Sequence, residues 1–221
     1  ETLAELLNGE EFHGICFERV NPKQICLIVN GESYLLRDPL WFVQTYRDHF
    51  PQPRFRCLTH GDLNGRNMFV DEERKVWLID FFKTGWGPIL RDFGELETVI
   101  KFELLPENSL PKLFAFEQTL AGLNSLRDDI YPEPPCNSIE FRKTCAILSH
   151  LRQIAAKQYE SAHPMEYEIG LLFYALKMLT WDGVSSVDSA RRPIRQRHAL
   201  ISAALLCDKL ANHLKATHVR P

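Results

Sequence analysis

Much that would classify this 221-residue chain at once is missing from it. No apolar run approaches the roughly 20 residues that carry a helix across a bilayer, and no secretory leader opens the sequence, so a cytoplasmic protein without a membrane partner is expected. The six cysteines (Cys16, Cys26, Cys57, Cys136, Cys145, Cys207) include no CxxC pair. In a chain of this size, scattered thiols favour reduced cysteines over a disulfide framework or a zinc site. A large charge of either sign is also lacking. The formal net charge is −3, which gives no electrostatic reason to expect nucleic acid or an anionic surface as partner. Neither G-x-G-x-x-G nor G-x-x-x-x-G-K-[ST] occurs, so the usual glycine-rich cradles for a phosphate are excluded. What is present is ordinary: 45% hydrophobic and 25% charged residues, enough for one substantial domain or two small lobes sharing a cleft. The first residue is Glu1 rather than Met, which marks the chain as an expected excerpt or processed product.

Two textures follow one another along the sequence. Up to about residue 81 the pattern is mixed. A short helix over Leu3 to Leu7 precedes "ICLIVNGESYLL", in which Asn30-Gly31 separates two β-prone runs. Both residues tolerate positive φ, so a hairpin is predicted there. Pro39 suits a helical first turn, and Trp41, Phe42 and Tyr46 suggest a buried face. "NMFV" and "KVWLIDFF" read as two strands joined by the charged link "DEERK".

After residue 90 the texture is helical. Phe93, Leu96, Ile100 and Leu104 recur at helical spacing, and Asp92 with Glu95 looks like a capping box at the start of that helix. A further helix is predicted from about Ile139 to Tyr159. Another carries Met165, Ile169, Leu172, Leu176 and Leu179 and is placed to stop at Gly183, and the last uses Leu200, Ala203, Cys207, Leu210 and Leu214. "YPEPPCNS" is a loop, and no internal repeat is visible. The expected fold is α+β and mostly helical, with small β-hairpins followed by about five helices.

One stretch carries chemistry: "LTHGDLNGRNMFVDEERKVWLIDFFKTGWG", residues 58 to 87. Phosphoryl transfer to a hydroxyl needs a carboxylate beside the attacking oxygen and oxygen ligands for Mg²⁺ on the phosphates. Asp62 offers the carboxylate. Asn67, five residues on, offers an amide oxygen, and Asp80 ends the apolar strand "VWLID". A reversing strand pair closed by "DEERK" would bring Asn67 and Asp80 to one end. Taken singly, Asp80 is equally a turn aspartate, and Asp62 with Asn64 could form ordinary Asx turns. The joint spacing favours the site.

"HGDLNGRN … LIDF … RDFGELE" resembles the aminoglycoside phosphotransferase and choline-kinase branch of the protein-kinase-like fold. The resemblance covers residues 58 to about 97. It implies a C-terminal lobe in which Asp62 is the catalytic base, Asn67 and Asp80 bind Mg²⁺ and nucleotide, and His60 and Asp92 brace the loop. It divides the chain into a residual N-lobe or hinge with early C-lobe (1–57), a catalytic-loop and metal-binding core (58–105) and a helical subdomain (106–221). The implied activity is Mg·ATP-dependent phosphoryl transfer to a small-molecule hydroxyl. More loosely, the chain resembles phosphotransferase-like modules of larger bacterial multidomain signalling or conflict proteins. Asn64-Gly65-Arg66 departs from the family's usual residues between the loop Asp and Asn, and Arg66 could touch a phosphate or face solvent.

An enzyme of this kind clamps ATP with an upstream strand lysine and helix glutamate. Before His60 the chain holds one lysine, Lys23, only 37 residues away. That is too short for a complete upper lobe, so an upstream N-lobe or another domain of the same protein is the expected partner and the chain alone is expected to be inactive. The alternative is a pseudokinase-like module that binds nucleotide or a partner without catalysis. A binuclear metallophosphoesterase, which "GDLNGRN" faintly suggests, would also need D-x-H and G-N-H-[DE] segments, and neither occurs. The histidines other than His60 and His49 show no close ligand spacing. "SARRPIRQRH" reads as a solvated helix face or an anion-binding run, and "RDDIYPEPP" offers carboxylates to a cationic acceptor.

Overall fold

The computed structural model describes residues 3–161, 163–181 and 186–218. Its first layer is a three-stranded antiparallel meander, β1 (Ile15–Asn21), β2 (Gln24–Val29) and β3 (Glu32–Arg37), preceded by the single-turn helix α1 (Leu3–Leu6). Asn30 and Gly31 sit at φ of 50° and 86°, the left-handed pair that a two-residue hairpin with matching twist requires. In β2, Ile25, Leu27 and Val29 alternate inward, which gives the sheet one buried face. β1 was not foreseen. Its buried residues, Ile15, Cys16 and Phe17, are consecutive rather than alternating, and the pairing shifts by a bulge between Arg19 and Asn21.

Asp38 links the sheet to α2 (Pro39–Tyr46). Its carboxylate accepts from the backbone N–H groups of Leu40 (2.9 Å) and Trp41 (3.0 Å) and pairs with Arg19 at 2.9 Å. Phe42 is fully buried, while Trp41 and Tyr46 are half-buried. Two small two-stranded sheets follow. β4 (Arg56–Thr59) pairs with β7 (Gly85–Pro88), and β5 (Met68–Val70) pairs with β6 (Val76–Leu78).

The helical part comprises α3 (Arg91–Val99), which runs into a π-helical turn at Ile100–Leu104, then α4 (Leu110–Ala121), α5 (Ile139–Gln158), α6 (Met165–Thr180) and α7 (Ser186–His218). The fold is therefore α+β, with close to half the residues in helices. Along α7, Leu200, Ala203, Cys207, Leu210 and Leu214 are all buried as the periodicity requires. The stop expected at Gly183 and the side chain of His218 lie outside the described residues. One continuous apolar cluster joins the meander to the helices, with Leu27 and Leu36 in the same core as Leu148, Leu172 and Leu210.

Three expectations change. The predicted Phe93, Leu96, Ile100 and Leu104 stripe is buried only in part: Ile100 is buried, while Phe93 and Leu96 of α3 are half-buried against the core. The fully buried residues of α3 are Gly94, Glu95, Glu97, Thr98 and Val99, and Leu104 is exposed. Burial of Glu97 is compensated locally. Arg152 of α5 grips it in a two-pronged pair (2.8 and 2.6 Å), and Tyr167 of α6 donates its hydroxyl at 2.8 Å. The capping box is absent. Leu90 occupies the N-cap without a side-chain bond, and Asp92 and Glu95 bond elsewhere. Finally, the arginine run is not a solvated face. Arg195, Arg197 and His198 are buried, and Arg191 donates to the carbonyls of Leu105 (2.8 Å) and Glu107 (3.2 Å), which close the preceding helical turn.

Candidate functional site

The region around His60–Asn67 is built from backbone constraints that begin in the two small sheets. Thr59 faces Gly85 across β4 and β7, and Thr59 Oγ1 donates to the Gly85 carbonyl at 3.1 Å. The chain then turns at Gly61, where φ is +78°. A Cβ at Gly61 would stand 2.4 Å from the Lys83 carbonyl oxygen, so only glycine allows the loop to lie against the segment after β6.

Asp92 holds that turn. Its Oδ2 accepts from the His60 N–H at 2.7 Å and its Oδ1 from the Gly61 N–H at 2.9 Å. Glu95, one turn along α3, accepts from the Leu63 N–H at 3.0 Å. These two carboxylates bond the loop rather than the helix start, because α3 is aimed with its first turn beneath the loop. The His60 ring adds a second tether. Its Nε2 faces the Ile79 carbonyl at 2.9 Å, which fixes the proton on that nitrogen, and Thr84 Oγ1 donates to the His60 carbonyl at 3.2 Å.

The β5–β6 hairpin delivers the other predicted residues. Its ladder runs Met68 to Leu78, Phe69 to Trp77 and Val70 to Val76, and one further rung joins the Ile79 N–H to the Asn67 carbonyl at 3.1 Å. Asn67 and Asp80 therefore lie at the same end of the hairpin. The Asn67 amide nitrogen donates to the Asp62 carbonyl at 2.8 Å and reaches Asp62 Oδ2 at 3.4 Å. Asp80 is exposed and held in the left-handed region (φ 60°, ψ 63°), a conformation that costs a non-glycine residue about 1–2 kcal/mol. The structure thus brings Asp62 and Asn67 into contact, sets Asp80 one residue beyond their rung, and places His60 and Asp92 behind them.

Lys83 is the residue the sequence reasoning missed. Its Nζ lies 3.0 Å from Asp62 Oδ1. Burial pushes the Asp62 carboxyl up, but the hydrogen bond and charge of Lys83, then the charge of Lys177 and the Asn67 amide, outweigh it and hold it below the usual aspartate value. The signal was available, because Lys83 lies three residues beyond Asp80, where one turn of 3₁₀ helix (Phe81–Lys83) returns it to the loop. Lys177 carried no such signal. It comes from α6 and sits 3.6 Å from Glu95.

A cavity of about 250 Å³ opens beside Asp62. Three ion pairs border it: Lys83 with Asp62, Lys177 with Glu95, and Arg66 with Glu103 at 3.9 Å. Tyr174 and Trp181 form its apolar side, and the Arg66 guanidinium lies 5.3 Å from the Trp181 ring. Arg66 is thus half-exposed and packed on an indole. Among the described residues no cluster of three or more His, Cys, Asp or Glu side chains could hold a metal, so any metal here would rest on the Asn67 and Asp80 oxygens plus those of its own ligand.

A family model, that of ternary complex associated domain 9, matches residues 28–180, more than two thirds of the chain. The chain belongs to this family. Within this ternary complex associated domain, the match runs from β2 to the end of α6 and takes in every residue of the site above except Trp181, Lys83 and Lys177 included. No curated protein and no solved structure matches the chain.

Proposed function

We propose that residues 60–92 form one half of a phosphoryl-transfer site, the C-terminal lobe of a kinase-like phosphotransferase that uses Mg·ATP on a small-molecule hydroxyl in a cytoplasmic setting. The observation that carries this reading is the contact of the Asn67 amide with Asp62, together with the Asn67–Ile79 rung that sets Asp80 one residue beyond it. The donors suit the ion: a carboxylate and an amide oxygen are hard ligands of the kind Mg²⁺ prefers. Asp80 and Asn67 would hold it, since the Asn67 nitrogen is committed to Asp62 and the amide oxygen is the atom left to offer a metal. Bound there, the ion would neutralise charge on the phosphates. Asp62 would orient the acceptor hydroxyl and take its proton; Lys83 lowers its pKa and so its basicity, and positioning rather than base strength would carry the role. The cavity beside it would receive the acceptor. The nucleotide clamp would come from upstream sequence or from another component of the assembly that the family's name implies.

The test is titration of ATP and ADP, with and without Mg²⁺, into this chain and into the protein with its neighbouring domains. Mg²⁺-dependent binding by the longer protein that Asp80→Ala removes, with turnover lost in Asp62→Asn while affinity stays, supports the reading. Equal loss of nucleotide binding in both variants refutes the assigned roles.

One observation favours a second reading, a pseudokinase-like module that joins an assembly without catalysis. The hairpin beside the site exposes Val70, Val76 and Trp77, and the 3₁₀ turn after it exposes Phe82 at 91%. Contiguous exposed apolar surface of this kind commonly marks an interface. Under this reading Trp77→Ser with Phe82→Ser abolishes assembly, and no form of the protein binds Mg·nucleotide.

A further inference from the structure

A second cavity, about 450 Å³, shares the Tyr174 wall with the site cavity and lies between the segment before β4, the start of α3 and the exposed side of α6. Its volume is within the range of small-molecule sites. Phe50 and Phe173 pack edge to face on its wall, ring centroids 6.2 Å apart, and Ile169 and Leu90 line it. Gly170 forms part of the wall in the interior of α6, where a Cβ would meet nothing within 4 Å. A glycine inside a helix weakens it, and here no neighbouring group requires one. What its missing side chain preserves is the space.

The charge presented to that space is positive. Arg47 stands at the mouth with its side chain 66% exposed, and its pairing with Asp48 is loose (3.7 Å) and solvent-screened. Arg91 lines the inner end. Glu166 also borders the cavity, but its Oε2 already accepts from the Arg54 N–H (3.1 Å) and the Tyr159 hydroxyl (2.7 Å), and its Oε1 is sealed from solvent. Neither oxygen is offered to a guest.

We propose that this cleft binds a small carboxylate with an aromatic body, its ring packed against the Phe50–Phe173 pair over Gly170 and its carboxylate towards Arg47 and Arg91. The site is independent of the phosphoryl-transfer reading. It does touch the same loop, because Arg91 Nη2 donates to the Gly61 carbonyl at 3.0 Å. A guest that draws on Arg91 therefore bears on the residue preceding Asp62.

The test is calorimetric or ligand-observed NMR titration of the 221-residue chain with 3-phenylpropanoate, 3-phenylpropanamide and 3-phenylpropylamine, up to ~10 mM, where a ligand this small should register. The expected result is saturable binding of the acid and at least about tenfold weaker binding of the amide and the amine. Gly170→Leu should abolish binding by filling the cleft, and Arg47→Gln should weaken the acid while leaving the amide unchanged. A melting curve establishes that Gly170→Leu is folded, and if it is not, Phe173→Ala with Arg47→Gln decides. Absence of saturable binding, equal binding of all three probes, or full binding by folded Gly170→Leu would each overturn the proposal.

Discussion

Asp92→Asn distinguishes two physical roles for one carboxylate. As a helix cap or dipole partner Asp92 would be replaced by Asn at little cost, because Asn caps as well as Asp and a lone charge in a first turn contributes about 0.3–1 kcal/mol. The structure gives it different work. Its two oxygens accept from two consecutive N–H groups, those of His60 and Gly61, at 2.7 and 2.9 Å. Asn keeps one acceptor, now neutral, and turns an NH₂ towards the other N–H. One charge-assisted bond, worth about 1.5–3 kcal/mol, is lost with its donor left unpaired, and the other weakens by about 1 kcal/mol. The expected loss is about 2–4 kcal/mol of local stability. Global denaturation reports it up to the cost of freeing the loop alone. Amide hydrogen exchange reads it directly, as faster exchange at His60 and Gly61 with protection in α5 and α7 unchanged. A denaturation midpoint shifted by less than the equivalent of about 0.5 kcal/mol, with His60 and Gly61 protection intact, would refute the bracing role.

Three other outcomes follow from the same structure. Burial pushes the Glu117 carboxyl up, but Lys101 and His198 overcome it and hold the group near a pKa of about 2, whereas burial keeps His198 below the ordinary histidine value. Both groups bind more protons when unfolded, so stability should fall as pH drops below about 6.5 for His198 and between about 4.5 and 2 for Glu117. The second step is worth about 3 kcal/mol and can be read from urea midpoints against pH. Lys83→Met removes the hydrogen bond and charge that hold Asp62 down and leaves burial to act, so carboxyl-detected NMR should show the Asp62 pKa moving up; no movement would mean that the pair at 3.0 Å does not persist in solution. Gly61→Ala must adopt a φ of +78° and meet the Lys83 carbonyl, so a loss above about 2 kcal/mol is expected in thermal melts.

What was legible in the sequence was what local chemistry decides. Asn30-Gly31 specifies its turn, "DEERK" between two apolar runs specifies a hairpin, and the helical stripe of α7 is buried residue for residue. The hairpin in turn made the neighbourhood of Asn67 and Asp80 foreseeable. What stayed hidden depends on partners distant in sequence. Glu97 looks like a surface residue until Arg152 and Tyr167 arrive from α5 and α6. Arg191 and Arg195 resemble a solvated face because nothing local shows that carbonyls at Leu105 and Trp181 will need donors. Asp92 and Glu95 fit a capping box by spacing, yet the loop 30 residues upstream takes their oxygens. Lys83 was legible in principle, because a single turn after Asp80 brings its amine back to Asp62.

The exposed hairpin bears on the proposed readings, because a partner seated on it would also reach the site. A two-stranded ribbon is marginal alone in water, and β5–β6 is tied down chiefly at the end where Ile79 meets Asn67 and His60. Its strands leave Phe69, Val70, Val76, Trp77 and Leu78 exposed on both faces, and Phe81 and Phe82 continue the apolar surface past Asp80. These side chains contribute little to the core described above, so folding does not account for them. Docking of a second body would, by burying apolar area at about 25 cal/mol per Å². A body that also reached Asp62, Asn67 and Asp80 would lower the dielectric there and strengthen their charge interactions. Either proposed reading would be served by such a cap, and they part on whether Mg·nucleotide lies beneath it. Phe82→Ser, at 91% exposure, should leave the melting temperature of this chain within about 1 °C while weakening any assembly that forms over the hairpin. A drop of several degrees in the isolated chain would show instead that the ring supports the fold, and the covering body would lose its strongest support.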